Sequence, residues 1–278
     1  MSARRLSLAP ALARHILLCA TGALMLVPLV WMVSLSLKPP GEIFHASFSL
    51  WPTQWYAGVN YARALTTAPL PRFLLNGVIV CAAIVVCQIA VSAPAAYALA
   101  KLRFPGRDFA FGLVLVGLLL PHQVLALPLF ILCWQLGILN TYAALILPFV
   151  VSPFGIFLLR QFFKAVPDDL VHAARLDGFS ELAIVFRIML PVARPAVIAF
   201  ATLSVVAHWN DLFWPLIAVR AEHLMPPTLG VVAFRNEEAG SDFGPLMAGA
   251  TIVVAPLILA FLAAQRWFVE GLMVGSVK

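Results

Sequence analysis

The chain has 278 residues, of which 63% are hydrophobic and only 11% carry a formal charge, against roughly 25% charged in soluble globular domains. That balance excludes an ordinary soluble domain and makes the lipid bilayer the expected solvent. The net charge of +6 at pH 7 needs no nucleic-acid partner, because the placement of Lys and Arg along the chain accounts for it.

Charged residues cluster and leave uncharged runs at Ile16–Leu37, Phe73–Ala100, Phe109–Leu159 and Phe243–Gln265. A spanning helix needs about 20 apolar residues, so the first run predicts a span over 16–37. Arg4, Arg5 and Arg14 precede it, as in a signal peptide. The run is longer than an h-region of about 7 to 15 residues and ends in SLSLKPP rather than a cleavage site, so it reads as a retained anchor. A Pro-rich and aromatic outer segment follows over 38–72, where Trp51, Trp55, Tyr56 and Tyr61 suit an interfacial belt.

The second span is predicted over 73–98, followed by the short basic inner loop KLRFPGRD. The third run holds two spans, 111–133 and 141–159, separated by LGILNTY with Gly137 and Asn140 as turn residues. An inner segment occupies about 161–190. The fifth span, 191–219, carries one acid, Asp211. An outer loop over 220–242, either a docking surface or a connector, leads to the last span, 244–265. With both termini inside, most Lys and Arg fall on the inner side, as the positive-inside rule requires. The chain reads as one all-α membrane domain of six spans over 1–278.

The inner segment is patterned in detail. Pro167, Asp168 and Asp169 suit a first helical turn, and Gly178 suits a left-handed C-cap. Ser180 is placed to cap a second helix with Glu181 in its first turn. Leu182, Val185, Phe186 and Met189 then form one apolar stripe, and Pro191 and Pro195 turn the chain into the fifth span. Such a short helical hairpin needs a partner surface. Lipid headgroups would serve, and so would a protein groove.

The spacing Ala173-Ala174, three residues, Gly178, nine residues, Ile188-x-Leu190-Pro191 resembles the EAA loop of ABC-importer permeases. WNDLFWPL (Trp209–Leu216), LPLFILCWQLGILNTYAALILPF and the tail AQRWFVEGLMVGSVK are similar to the fifth helix, the third and fourth helices and the tail of the maltose-type carbohydrate-uptake class, in the expected order. The resemblance implies an ABC type I importer permease, a non-enzymatic subunit in the bacterial inner membrane. It further implies a second permease, an ATPase dimer holding ATP and Mg, and an extracytoplasmic substrate-binding protein as partners. The ATPase-coupling residues it carries over are His172, Ala173, Ala174, Asp177, Gly178, Ile188, Leu190 and Pro191. One departure is His172, where the family has a Glu; an imidazole does not replace a fixed carboxylate, and that ion pair would have to lie elsewhere, for example with Asp168 or Asp169.

The sequence has no GxxxxGK[ST] loop, so ATP chemistry is expected of partner subunits and no cofactor of this chain. Trp209, Asn210 and Asp211 are candidates for the substrate path, since an intramembrane acid is a functional candidate by default; the alternative is that Asn210 and Asp211 cap helices at the boundary. The lone histidines His122 and His208 and the four cysteines show no metal-ligand spacing. An ion-gradient-driven transporter, an importer of a glycerol-phosphate compound and an intramembrane enzyme using the acids of PDDLVHAARLD are the rival readings. ATP dependence of uptake separates the first of these from the ABC reading.

Overall fold

The computed structural model describes residues 8–44, 49–232 and 242–273, and among them the chain is helical without a strand. It divides into two compact units, one of residues 1–68 and 233–254 and one of residues 69–232 and 255–278. Three helices are long and apolar enough to cross a bilayer, and three bent helix pairs raise that to six if each pair is one span.

In the first unit, α1 (Leu8–Ser36) is followed by the short α2 (Pro40–Ile43) and by α3 (Ala57–Thr67). The first two-thirds of the apolar surface described for α1 is exposed, as suits a helix whose solvent is lipid. Its C-terminal end is tied down by polar groups. Asn60, fully buried on α3, donates from Nδ2 to the carbonyls of Ser36 and Lys38, each at 2.9 Å. The Ser34 hydroxyl donates to the Leu50 carbonyl at 2.5 Å. Lys38 is buried too, its ammonium donating to the Ser49 carbonyl and lying 5.0 Å from the Trp31 ring centre.

The second unit is organised around α4 (Leu70–Lys101), whose one buried face runs from Phe73 through Ile84 and Ala93 to Tyr97. Proline shapes the helices that follow. After α5 (Arg107–Leu119) the chain breaks at Leu120-Pro121 before α6 (Ala126–Gln135), a bend of 95°. Leu120 is extended (φ −78°, ψ 120°) because a following proline ring disfavours the helical region for the residue before it. The stretch predicted as the third span thus holds two helices, which pass together as one broken span.

Gly137 (φ 66°) and Asn140 (φ 61°) make the turn into α7 (Tyr142–Ile146). The turn is held by the Asn140 amide oxygen, which accepts from the backbone N–H groups of Arg220 and Ala221 at 2.9 and 2.8 Å. Ser152, extended before Pro153, caps α8 (Pro153–Ala165) by accepting from the Gly155 N–H at 3.1 Å. The bend between α7 and α8 is 43°. Then come α9 (Asp168–Leu176), α10 (Glu181–Ile184), a π-helical turn at Val185–Met189, α11 (Leu190–Val192) and α12 (Arg194–Trp209), with an 86° bend at Ala193. Helices α13 (Phe213–Ala218), α14 (Pro227–Val231) and α15 (Phe243–Met273) are the last among the described residues.

Helix α4 packs chiefly on α8, then on α12 and α14. Gly155 lets α4, α8 and α12 meet closely, since a Cβ there would lie 2.7 Å from the Phe200 ring and 3.0 Å from the Ser92 hydroxyl. Gly230 on α14 lies against Phe73, where a Cβ would meet the ring at 2.0 Å.

Candidate functional site

The second unit presents two sites, a helical turn at one end of α4 and a cavity beside its middle. The turn is built by backbone hydrogen bonds that the sequence spacing anticipates. Gly178 sits at φ 83°, its N–H donates to the Arg175 carbonyl at 3.0 Å, and the Phe179 N–H donates to the Ala174 carbonyl at 3.0 Å. This is a Schellman C-cap, which needs a left-handed residue at the position Gly178 holds. Ser180 then accepts from the Ala183 N–H at 3.3 Å and starts α10.

Ala173 and Ala174 divide by face. Ala174 is buried with Val171, Ile184, Val185 and Met189 against the ends of α4 and α8, in one cluster with Tyr97, Leu159 and Phe163. Ala173, His172, Asp177 and Gly178 are exposed; Ile188 is half-buried within the π turn, and beyond it Leu190 is half-buried and Pro191 exposed. The predicted stripe of α10 splits: Val185 and Met189 are buried, whereas Leu182 is 60% and Phe186 44% exposed. The buried face runs instead through Ile184, Val185 and Met189, about one residue round from the predicted stripe. With Leu176 at 90% exposure, Leu182 and Phe186 leave an apolar surface on the hairpin's outer side.

Polar side chains fasten this hairpin to α4. Tyr97 donates its hydroxyl to Glu181 at 2.5 Å, and Arg175 grips the same carboxylate through Nε at 2.8 Å and a second nitrogen at 3.2 Å. The Glu181 carboxylate beside Arg175 holds that guanidinium's pKa above its ordinary value. At the other end Lys101 donates to the Val166 carbonyl and to Asp168, each at 2.5 Å. The bond from Lys101 holds the Asp168 carboxyl below the usual carboxylate range. Asp168 is thus engaged by Lys101.

The cavity, about 780 Å³, opens among α4, α6, α8, α12 and α13. A polar ladder lines one side. Ser204 donates to the Gln88 amide oxygen at 2.6 Å, the Gln88 amide nitrogen donates to the Phe149 carbonyl at 2.9 Å and lies 3.4 Å from His208 Nε2. Aromatic rings form the rest of the wall: Phe149 lies 4.8 Å from the His208 ring and 6.3 Å from Trp214, edge to face with the latter. Trp214 is oriented by its indole N–H, which donates to the Ala144 carbonyl at 2.8 Å.

Of the three sequence candidates for the path, only Asp211 lines this cavity. Its Oδ1 accepts from the Phe213 and Trp214 N–H groups at 2.9 and 3.3 Å, so it also caps α13. Trp209 is buried away from the cavity, and Asn210 turns its amide back to the Val206 carbonyl at 2.8 Å. Gln88, Ser204 and Trp214 line the cavity too and were not among the sequence candidates. A polar Gln88 within the uncharged second span was the available signal. No group of three His, Cys, Asp or Glu suited to a metal occurs among the described residues.

With this geometry in place, comparison with known proteins identifies the lineage. Residues 89–274 match the family described as the binding-protein-dependent transport system inner membrane component. The chain belongs to this family. It is 38% identical to the probable ABC transporter permease protein YurM of Bacillus subtilis (strain 168), over 90% of this chain and 83% of that one. The arabinooligosaccharides transport system permease protein AraQ of Halalkalibacterium halodurans is 35% identical over 90% of each chain. Among solved structures, a chain of a bacterial ABC transporter involved in the import of the acidic polysaccharide alginate aligns at a TM-score of 0.82 with 23% identity, covering 96% of this chain and 99% of that one. The all-helical permease fold expected from the sequence is thereby matched, with up to six spans if each bent pair counts as one. This family member is a multi-pass membrane permease subunit of an ABC importer and not itself an enzyme.

Proposed function

We propose that the chain is the sugar-uptake permease of its importer, one of two permeases that together form the solute path, coupled to an ATPase dimer through residues 167–191 and supplied by an extracytoplasmic binding protein. The relatives named for sugar transport support the solute class. The observation that carries the coupling role is the Gly178 turn, rigid by its Schellman hydrogen bonds and backed by the buried cluster around Ala174. A stiff element passes on displacement that a soft loop would absorb. The exposed Leu176, Leu182 and Phe186 are suited to an apolar groove on the ATPase.

In this reading 1–278 is a single permease domain with both termini cytoplasmic, and ATP and Mg reside on the partner subunits. His172, Ala173, Asp177 and Gly178 face the ATPase, while Ala174, Ile188, Leu190 and Pro191 join the hairpin to the membrane helices.

The test is reconstitution of the complete importer in proteoliposomes, with uptake of arabinooligosaccharides, lactose and diacetylchitobiose measured with and without ATP. Uptake of at least one sugar is expected only with ATP inside. Uptake that ignores ATP and collapses with an uncoupler would overturn the proposal.

A further inference from the structure

The loop between α4 and α5 carries a basic hollow that the transport reading leaves unused. Arg103, Phe104, Gly106, Arg107, Asp108 and Phe109 line it, and its volume of about 360 Å³ falls within the range of small-molecule sites. The Arg103 side chain makes no hydrogen bond or ion pair with the described residues. Asp168, on which its charge acts at a distance, is already engaged by Lys101. Arg107 reaches only Asp108 beside it and the Leu102 carbonyl, at 3.4 and 3.5 Å, longer than the usual range of about 2.7 to 3.2 Å.

A third guanidinium stands nearby. Arg160, buried on α8, lies 3.6 Å from the ring centre of Phe111 on α5 and donates to the Leu99 carbonyl at 3.2 Å. Its charge and that of Arg107 repel each other. Three guanidinium groups are thus gathered around one carboxylate, that of the largely exposed Asp108. An anion would relieve that surplus, and the planar fork of Arg suits a phosphate.

The apolar residues say which kind of anion. Phe109, at 74% exposure, lines the hollow and heads a stripe on α5 with the exposed Leu113 and Val116, spaced i, i+4, i+7 on one helix face. A free phosphate would use the arginines and leave the stripe idle. A phospholipid uses both, its phosphate meeting the guanidinium groups and its acyl chains the stripe.

We propose that the α4–α5 loop is a binding site for an anionic phospholipid, with Arg103 and Arg107 holding the phosphate and Phe109, Leu113 and Val116 carrying the chains. The site is independent of which solute the importer moves.

The test is native mass spectrometry of the complete importer titrated with phosphatidylglycerol or with phosphatidylcholine, reading the apparent Kd of the first lipid bound. Phosphatidylglycerol is expected to bind the tighter. Replacing Arg103→Gln and Arg107→Gln together should weaken it about 25-fold, about fivefold for each arginine, and leave phosphatidylcholine unchanged. Lys164→Gln, which removes an exposed cation on α8, should change neither. Arg103→Gln alone gives the fivefold step should the double variant fail to assemble, since its side chain has no bond to lose. Unchanged phosphatidylglycerol affinity in these variants overturns the site, as does an equal loss in Lys164→Gln, which would mean diffuse charge. Displacement of the lipid by equimolar inorganic phosphate would make the ligand a free anion and overturn the lipid. Shedding of the ATPase by the double variant with lipid binding intact would assign the loop to that partner instead.

Discussion

Two glycines carry opposite kinds of constraint. At Gly178 nothing lies within 4 Å of an added Cβ, so the φ of 83° alone sets the cost of substitution. Gly178→Ala should destabilise the hairpin by roughly 1 kcal/mol and Gly178→Asn by less, since Asn tolerates the left-handed region. Gly178→Asp adds a charge on the face proposed to dock. We expect it to abolish transport while the protein still inserts into the membrane, read by uptake and ATP turnover in proteoliposomes beside a membrane-fraction blot; normal substrate-stimulated ATP turnover would refute the docking role. Gly230 is the reverse case, where conformation is free and space is not. A Cβ at 2.0 Å from Phe73 forces the ring or α14 to move, so Gly230→Ala should lower the detergent Tm by an amount corresponding to about 1 to 3 kcal/mol. An unshifted melting curve would show that α14 yields without cost.

At the scale of elements, the hairpin of α9 and α10 is held to α4 at two points of different chemistry. Tyr97→Phe removes the hydroxyl shared by Glu181 and Arg175 and leaves the ring in its buried cluster. The expected result is a hairpin that still folds but couples poorly: ATP turnover persists while uptake per ATP falls, measured together in one proteoliposome preparation. The Lys101–Asp168 pair has a definite pH sign. Because the folded-state pKa of Asp168 is lowered, its contribution is present above the usual carboxylate value of about 4 and is lost as pH falls through the lower folded-state value. Amide protection of α9, corrected for intrinsic exchange, should then be flat between about pH 6 and 8 and decline only below about pH 4 as far as this pair decides it. A decline near neutrality would assign the effect to another group.

The hairpin was legible in the sequence because its signals are local: a cap, a left-handed glycine and a second cap within a dozen residues. The cavity was not, because Gln88, Phe149, Ser204 and Trp214 meet only once four separate helical segments have packed. The bends were half-visible. Pro121 marks a break, but no local pattern distinguishes a kinked span from two helices at 95°.

For the whole molecule, the six-span reading predicts a sidedness that labelling can check. Single cysteines near residue 5 and at Lys278 should react with an impermeant thiol reagent only from the cytoplasmic side, and one at Thr53 only from outside. Reaction of a terminus from outside would overturn the proposed topology. A different consequence follows from the π turn at Val185–Met189. A π turn holds one residue more than an α turn, so it behaves as a phase setting between the surface on α10 and the helix entering the membrane. Deleting one residue there would close it to a regular α turn with that phase kept, whereas winding the same residues as regular α-helix would rotate one side against the other by about 100°. Leu182 and Phe186 would then point away from their present direction although each kept its own helix, and the importer would be assembled from intact parts that are out of step.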